Sequence, residues 1–444
     1  MSNVKFTISV LVLTALLLSL AAAVFAAGEL KSYVRSDDKA FDYSLSKIQL
    51  YNNRQVSVST FDMTSQEWQG EKWTHKVQIY YPAQCTMKSI ALLLVTGGNP
   101  STDKTMTLVQ ACSALAAPVA IIYNIPNQPL FEKTEDALIA YTFEKAVEEG
   151  DMSSWPLLFP MVKSVVKAMD LIEEFTKDNF DTAISQFVVA GASKRGWTSW
   201  LSAGIGDARV CGIVPLVFDF LKMPEQLAHE QESYTELSDQ LNDYKDINIL
   251  DVIKTPQGAA LIEAVDPFTN NEAMTCPKLL INGTNDQYWT LDSASLYFDD
   301  LKGVNNYLYY NVNGNHSTGD LSVQNMSGYI GTLKAFMNQC GGESAMNRMT
   351  WKWSEEGDDI VCRIKTDPAY VQAVKTYDAE ASRRDFRNVR WVAGQNVTRE
   401  NDGFVFTVKK PKGSFKGAFV EVDFMSPNGA YTLFTAPYVF DGTK

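Results

Sequence analysis

Between His75 and Gln339 the chain alternates two kinds of hydrophobic stretch. The apolar runs Ile90–Val95, Val119–Tyr123, Phe187–Ala190, Gly212–Phe218, Lys278–Asn282 and Tyr307–Val312 have the length of buried strands. His75–Tyr81 alternates as a strand. Thr105–Leu115, Glu135–Glu149, Phe159–Phe175 and Val323–Gln339 instead space their apolar residues for one face of a helix. Strands alternating with helices predict the α/β class: a mostly parallel sheet covered on both faces, spanning residues 27–340. The polar, helical stretch Pro224–Asp266 reads as an insertion near 220–270 lying over that sheet, and Asn124–Leu130 as a proline-marked loop. Gly28–Val58 has no decisive pattern.

After Cys340-Gly341-Gly342 the pattern changes. Strand candidates Ile360–Ile364, Tyr370–Thr376, Phe404–Val408, Ala418–Phe424 and Tyr431–Val439 are separated by Pro411, Gly413 and Pro427-Asn428-Gly429. Residues 345–444 therefore predict a small C-terminal β-sandwich.

Composition narrows the class. At 444 residues, 45% hydrophobic and 20% charged, the chain is globular and long enough for two domains. A formal net charge of −13 excludes the basic face a nucleic-acid partner would need. Lys5, the apolar run from Phe6 to Phe25 and the small residues before Ala26 read as a secretory signal peptide, residues 1–26, rather than a membrane anchor. A secreted, extracellular protein with no stable membrane insertion is expected. The six cysteines (Cys85, Cys112, Cys211, Cys276, Cys340, Cys362) contain no C-x-x-C pair, so no metal is expected, and their even number suggests disulfides of unreadable connectivity. Of four glycan acceptor tripeptides, at Asn282, Asn315, Asn325 and Asn396, the favoured sites are Asn325 and Asn396.

One stretch carries candidate chemistry. Phe187–Ala190 runs into Gly191-Ala192-Ser193-Lys194-Arg195-Gly196 and then a helical stretch, the context of a nucleophile elbow. Gly191 matches the first glycine of G-x-S-x-G, while Arg195 occupies the second glycine's place and Gly196 follows one position late. A serine nucleophile needs a base, and the chain has three histidines. His316 follows the last predicted strand of the sheet, as the order serine–acid–histidine requires. His229 lies in the polar insertion and reads as a surface residue, and His75 precedes the serine. For the acid, Asp286 after Lys278–Asn282 is preferred over Asp219 after Phe218. The backbone N–H of Lys194 and the Gly97-Gly98 turn are the candidate oxyanion hole. No G-x-G-x-x-G follows a strand and opens a helix, so no dinucleotide site and no cofactor is expected. The acidic pairs Glu148-Glu149, Glu173-Glu174 and Glu355-Glu356 could grip a substrate's amino terminus but fit solvated faces better.

Beyond this pattern the chain resembles the PhoPQ-activated pathogenicity-related proteins, whose eukaryotic relatives include secreted autocrine proliferation repressors. The stretches carrying the resemblance are Thr134–Glu144, Trp155–Asp170, Gly191–Trp200, Pro277–Trp289, Gly314–Ser317 and Ser382–Trp391. That family is similar to α/β-hydrolases of the dipeptidyl-peptidase and prolyl-oligopeptidase type, which implies an α/β-hydrolase fold with Ser193, Asp286 and His316 as its triad. In those peptidases the accessory domain precedes the hydrolase, whereas here the β-rich part follows it. The resemblance further implies growth restraint or repulsion of cells. Two readings stand: a serine hydrolase with a peptide or ester substrate, and an extracellular signal acting on a cell-surface receptor, with the hydrolase fold as scaffold.

Overall fold

The computed structural model describes residues 28–427 and 429–443; the expected signal peptide lies outside them. After a helix at 28–35, nine strands form one sheet: β1 (Asp42–Tyr51), β2 (Val56–Trp68), β3 (Glu71–Pro82), β4 (Ile90–Val95), β5 (Val119–Ile122), β6 (Gln186–Ala192), β7 (Val210–Leu216), β8 (Lys278–Gly283) and β9 (Asn306–Asn311). Their spatial order is β1-β2-β3-β5-β4-β6-β7-β8-β9. The first three strands and β5 pair antiparallel, and from β5 through β4 to β9 every pairing is parallel. This is the α/β-hydrolase fold, with the swap of β5 and β4 bringing β4 beside β6.

The helices are α1 (Thr102–Leu115), α2 (Glu135–Glu149), α3 (Leu158–Asn179), α4 (Lys194–Gly204), α5 (Met223–Tyr234), α6 (Asn242–Asp246), α7 (Ile249–Val252), α8 (Pro256–Val265) and α9 (Val323–Cys340). Alternate side chains of each central strand enter opposite cores. Leu93, Val95 and Val189 point into one core with Phe159 and Met161 of α3 and Trp200 of α4. Leu92, Leu94 and Val188 point into the other with Leu108 and Leu115 of α1 and Phe336 of α9. A strand buried on both faces reads as an unbroken apolar run, which is why β4 carries Ile-Ala-Leu-Leu-Leu-Val. The insertion from α5 to α8 forms a separate roof, with Leu227, Leu237 and Ile249 in its own small cluster.

The C-terminal part consists of two antiparallel sheets. One is ordered β10 (Thr350–Glu356), β11 (Asp359–Lys365), β14 (Gly403–Lys409), β13 (Val397–Glu400). The other is ordered β12 (Val371–Ala381), β15 (Phe415–Ser426), β16 (Gly429–Phe434), with β17 (Tyr438–Asp441) also on β15. Ile360 and Phe406 of the first sheet share a core with Val420 and Val422 of the second. The single strand expected over Tyr431–Val439 is two, because the Thr435-Ala436-Pro437 step carries a proline that cannot donate to the ladder. This part docks on the hydrolase through α9: Thr332 Oγ1 donates to the Thr432 carbonyl at 3.1 Å, and the Thr432 N–H donates back at 3.0 Å.

All six cysteines are free thiols, so the expected disulfides are not formed in this structure. Among the described residues no helix is long and apolar enough to cross a membrane.

Candidate active site

At the end of β6 the chain turns so sharply that Ser193 holds φ 55° and ψ −126°, a conformation costly for any residue with a side chain. The neighbouring glycines make this possible. A Cβ on Gly191 would lie 2.5 Å from the Arg195 carbonyl oxygen, and one on Gly196 would lie 3.0 Å from that of Leu216. The second glycine is needed one position late because position 196 is the one pressed against β7. Arg195 points the other way. Its guanidinium donates to both carboxylate oxygens of Glu135 at 2.7 and 2.8 Å and to the Ile125 carbonyl at 2.6 Å. A Cβ on Gly97 would sit 2.2 Å from Arg195 Nη2, so the turn after β4 must be bare to let the arginine pass.

Lys194, buried, turns its ammonium to Glu135 at 2.9 Å and Asp136 at 3.1 Å, and its backbone N–H opens α4, where no intrahelical acceptor exists. Burial alone would raise the Glu135 carboxyl, but Arg195 and Lys194 together hold it well below the usual carboxylate range. The elbow is thus tied to the start of α2 by two cations on two carboxylates.

His316 and Asp286 come from the loops after β9 and β8. His316 Nδ1 lies 2.9 Å from each Asp286 carboxylate oxygen. The Tyr288 ring stacks on the imidazole at 3.9 Å between centroids, the Tyr288 N–H donates to Asp286 Oδ1 at 2.8 Å, and the His316 N–H donates to Gln287 Oε1 at 3.0 Å. With Nδ1 committed to the carboxylate, Nε2 is the free lone pair, and it is buried with no hydrogen-bond partner. Ser193 and His316 line the same cleft, together with Gly97, Lys104 and Asp320. Ser193 also lines a second, apolar chamber under the insertion, whose walls include Tyr288 and Trp289 beside His316.

Asp219, the rival acid, accepts from the Tyr297 hydroxyl instead. Burial, helped by the nearby Asp286 and Asp292 carboxylates, pushes its carboxyl up to about 7, so it is a poor permanent anion.

The loops bearing Asp286 and His316 are themselves held. A Cβ on Gly283 would lie 2.4 Å from the Gly314 carbonyl oxygen, and the Asn313 N–H donates to Thr284 Oγ1 at 2.8 Å. The C-terminal part then grips both loops through residues 382–391. Asn285 Nδ2 donates to the carbonyls of Arg387 at 3.1 Å and Val389 at 2.6 Å; Asn313 exchanges two hydrogen bonds with the Trp391 backbone at 3.0 and 2.7 Å. Arg384 reaches Asp292, which also receives His229 at 2.9 Å.

The model of the PhoPQ-activated pathogenicity-related protein family matches residues 30–387. The chain belongs to that family. Autocrine proliferation repressor protein A of Dictyostelium discoideum is 28% identical over 460 aligned residues, covering 94% of this chain and 91% of that protein. Among solved structures, the acetyl xylan esterase from Paenibacillus sp. R4 is similar at TM-score 0.45 and 14% identity over 66% of this chain and 88% of its own. An S-formylglutathione hydrolase from Agrobacterium tumefaciens is similar at TM-score 0.43 and 13% identity, over 68% and 99% of the two chains.

Ser193, His316 and Gly97 line one cleft, and Asp286 backs His316; Gly98 lies beside them at φ 66° but is not among the cleft's lining residues. His229 is a correction: it is no surface residue but half-buried against Asp292, because α5 of the insertion packs on the loop after β8, where Gln226 also donates to the Ser293 carbonyl. Asn396 is exposed, whereas Asn325 is half-buried, with Nδ2 donating to the Ser317 carbonyl at 2.6 Å. The three acidic pairs lie away from the cleft, Glu173 on Arg209 and Glu355 on Lys410. The acidic pair at the site, Glu135-Asp136, was missed, although it opens a helix within one of the stretches that carry the family resemblance. Asn285 and Asn313 were missed because their partners lie more than 70 residues away.

Proposed function

We propose that this protein is a secreted serine hydrolase that cleaves carboxyl esters or peptide bonds, with Ser193 as nucleophile, His316 as base and Asp286 as its orienting acid. The observation that carries the reading is the bare, buried Nε2 of His316 in the cleft of Ser193. A buried nitrogen without a partner costs free energy, and an approaching serine hydroxyl is the donor that would repay it.

In the reaction, Ser193 Oγ attacks the carbonyl carbon while His316 Nε2 takes its proton. The carbon's bond to the leaving oxygen or nitrogen breaks, and His316 returns the proton to the departing atom. Water then attacks the acyl-enzyme by the same route and releases the acid. Asp286 keeps the Nδ1 proton in place and stabilises the imidazolium. The oxyanion would be met by the Lys194 N–H and by an N–H of the Gly97-Gly98 turn. Transit through the secretory route rests on the N-terminal sequence.

The test is labelling of the purified protein with a fluorophosphonate probe. Labelling of the wild type that vanishes in Ser193→Ala and His316→Ala is expected. A folded wild type that does not label would overturn the hydrolase reading.

The relative named as an autocrine proliferation repressor favours a second reading, in which the protein restrains cells through a receptor. Adding wild type and Ser193→Ala to proliferating cells separates the two. Equal repression by both assigns that effect to the surface rather than to the chemistry.

A further inference from the structure

Three half-buried thiols gather at one edge of the large sheet: Cys211 in β7, Cys276 just before β8, and Cys340 at the end of α9. Cys340 is hydrogen-bonded through its thiol to that of Cys211. This bond, together with burial, holds the Cys340 thiol well above its usual range.

The backbone of β7 is shaped for the contact. Where β6 pairs with β7, Phe187 faces Val210 and Val188 faces Gly212, so Cys211 is the extra residue of a bulge. Val210 and Ile213 point into one core, whereas Cys211 and Val214 pack with Phe336 and Cys340 in the other. A regular strand would alternate, and would turn Cys211 away from α9. The next residue, Gly212, leaves room for the second sulfur: a Cβ there would lie 2.6 Å from Cys340 Sγ. Cys276 is near enough to act on both thiols through its charge, but it packs on the opposite core.

We propose that Cys211 and Cys340 form an oxidation site, joined by a disulfide-bearing oxidant into a bond that staples the central sheet to the end of α9. One cysteine thiolate attacks a sulfur of the oxidant and expels the first of its two thiolates. The other cysteine thiolate then attacks the cysteine sulfur of the mixed disulfide and expels the second. The pair gives up two protons and two electrons, and the oxidant departs as two thiols. α9 is the helix on which the C-terminal part docks, through Thr332 and Thr432. The closed loop would hold β8, β9 and the segments of Asp286 and His316. A loop of this length removes much entropy from the unfolded chain.

The experiment exposes the full wild-type chain to oxidised and reduced glutathione at mildly alkaline pH. Free thiols are then alkylated, and the protein is digested without reductant for mass spectrometry. The expected product is the Cys211 peptide joined to the Cys340 peptide, two hydrogens lighter than their sum, with Cys276 alkylated. The joined protein should melt about 5 °C above the fully reduced chain, and Cys211→Ser or Cys340→Ser should each abolish that difference. Either variant could fold poorly, so the peptide map of the wild type decides. Recovery of Cys211 and Cys340 as alkylated thiols, as glutathione adducts, or joined to Cys276 would overturn the proposal.

Discussion

Two histidines of this chain sit near a serine, and they differ in what the second nitrogen does. His75, on β3, has Nε2 3.0 Å from Ser65 Oγ and Nδ1 3.1 Å from the Tyr123 carbonyl oxygen, deep in the core. Ser65 is bonded onward to Ser164 at 2.9 Å, so every polar atom of that group has a partner. His316 has one nitrogen on Asp286 and the other on nothing. At His75 the serine is one link of a closed network, whereas His316 keeps Nε2 open in the cleft that Ser193 also lines. A satisfied network holds a core together; a base must keep a lone pair in hand for its substrate's proton.

That contrast can be broken most forcefully at the reactive pair. Ser193→Ala and His316→Ala should each lower kcat by about 10⁴-fold or more in ester hydrolysis, with thermal stability nearly unchanged. His75→Ala should do the reverse. Loss of its two hydrogen bonds and its packing should destabilise the fold by about 2–4 kcal/mol in urea titration, with kcat kept in the folded fraction. If His75→Ala abolished turnover at full stability, the contrast would collapse.

A second prediction concerns the grip on the reactive loops. Asn285→Ala removes the donor to the Arg387 and Val389 carbonyls without touching Asp286. We expect kcat to fall about 10- to 100-fold at nearly constant KM, since small displacements of a base are costly. An unchanged kcat would show that the hydrolase loops hold themselves.

The acid response sharpens the comparison further. Burial lowers the His75 pKa from the ordinary 6.5 to about 4. Its neutral form is favoured in the folded state, so that contribution is full above pH 6.5 and is lost as pH falls towards 4, on the order of 3 kcal/mol in all. A His75→Gln variant should unfold less steeply across this window than wild type. Asp219 runs the other way: its carboxyl, raised to about 7, contributes stability below pH 4 that is lost as pH rises through 7. Asp219→Asn should keep kcat within a few-fold and flatten stability near neutrality, the smallest of these effects.

Much of the hydrolase was legible because its signals are local. The run Ile90–Val95 is β4 to the residue, and Glu135–Glu149 is α2, opened by a helix-favouring acidic turn and closed by Gly150 at φ 67°. Ser193, Asp286 and His316 stood out as candidates because each follows a strand whose pattern is plain. β1 and β2 were not. β1 is exposed along most of its length, and β2 carries Ser57, Thr60, Asp62 and Ser65 among its apolar residues, so neither shows the clean period that a strand with one wet face should have. β13, with four residues, is too short to carry a period. The apolar chamber was hidden for a different reason: Trp197, Phe220, Leu241 and Trp289 come from four separate segments and meet only once the insertion folds back.

The grip of residues 382–391 on the loops of Asp286 and His316 also sets a clock. Chains are made from the N-terminus, and domains fold as they emerge. The serine elbow, braced by Glu135 and Asp136, can reach its final shape while the ribosome is still writing the C-terminal third. The partners of Asn285 and Asn313 do not exist until Trp391 has been added. A nascent or truncated chain thus carries a finished serine elbow beside loops of Asp286 and His316 that are still unbraced, so on the hydrolase reading proposed above activity would arrive last, with the finished molecule.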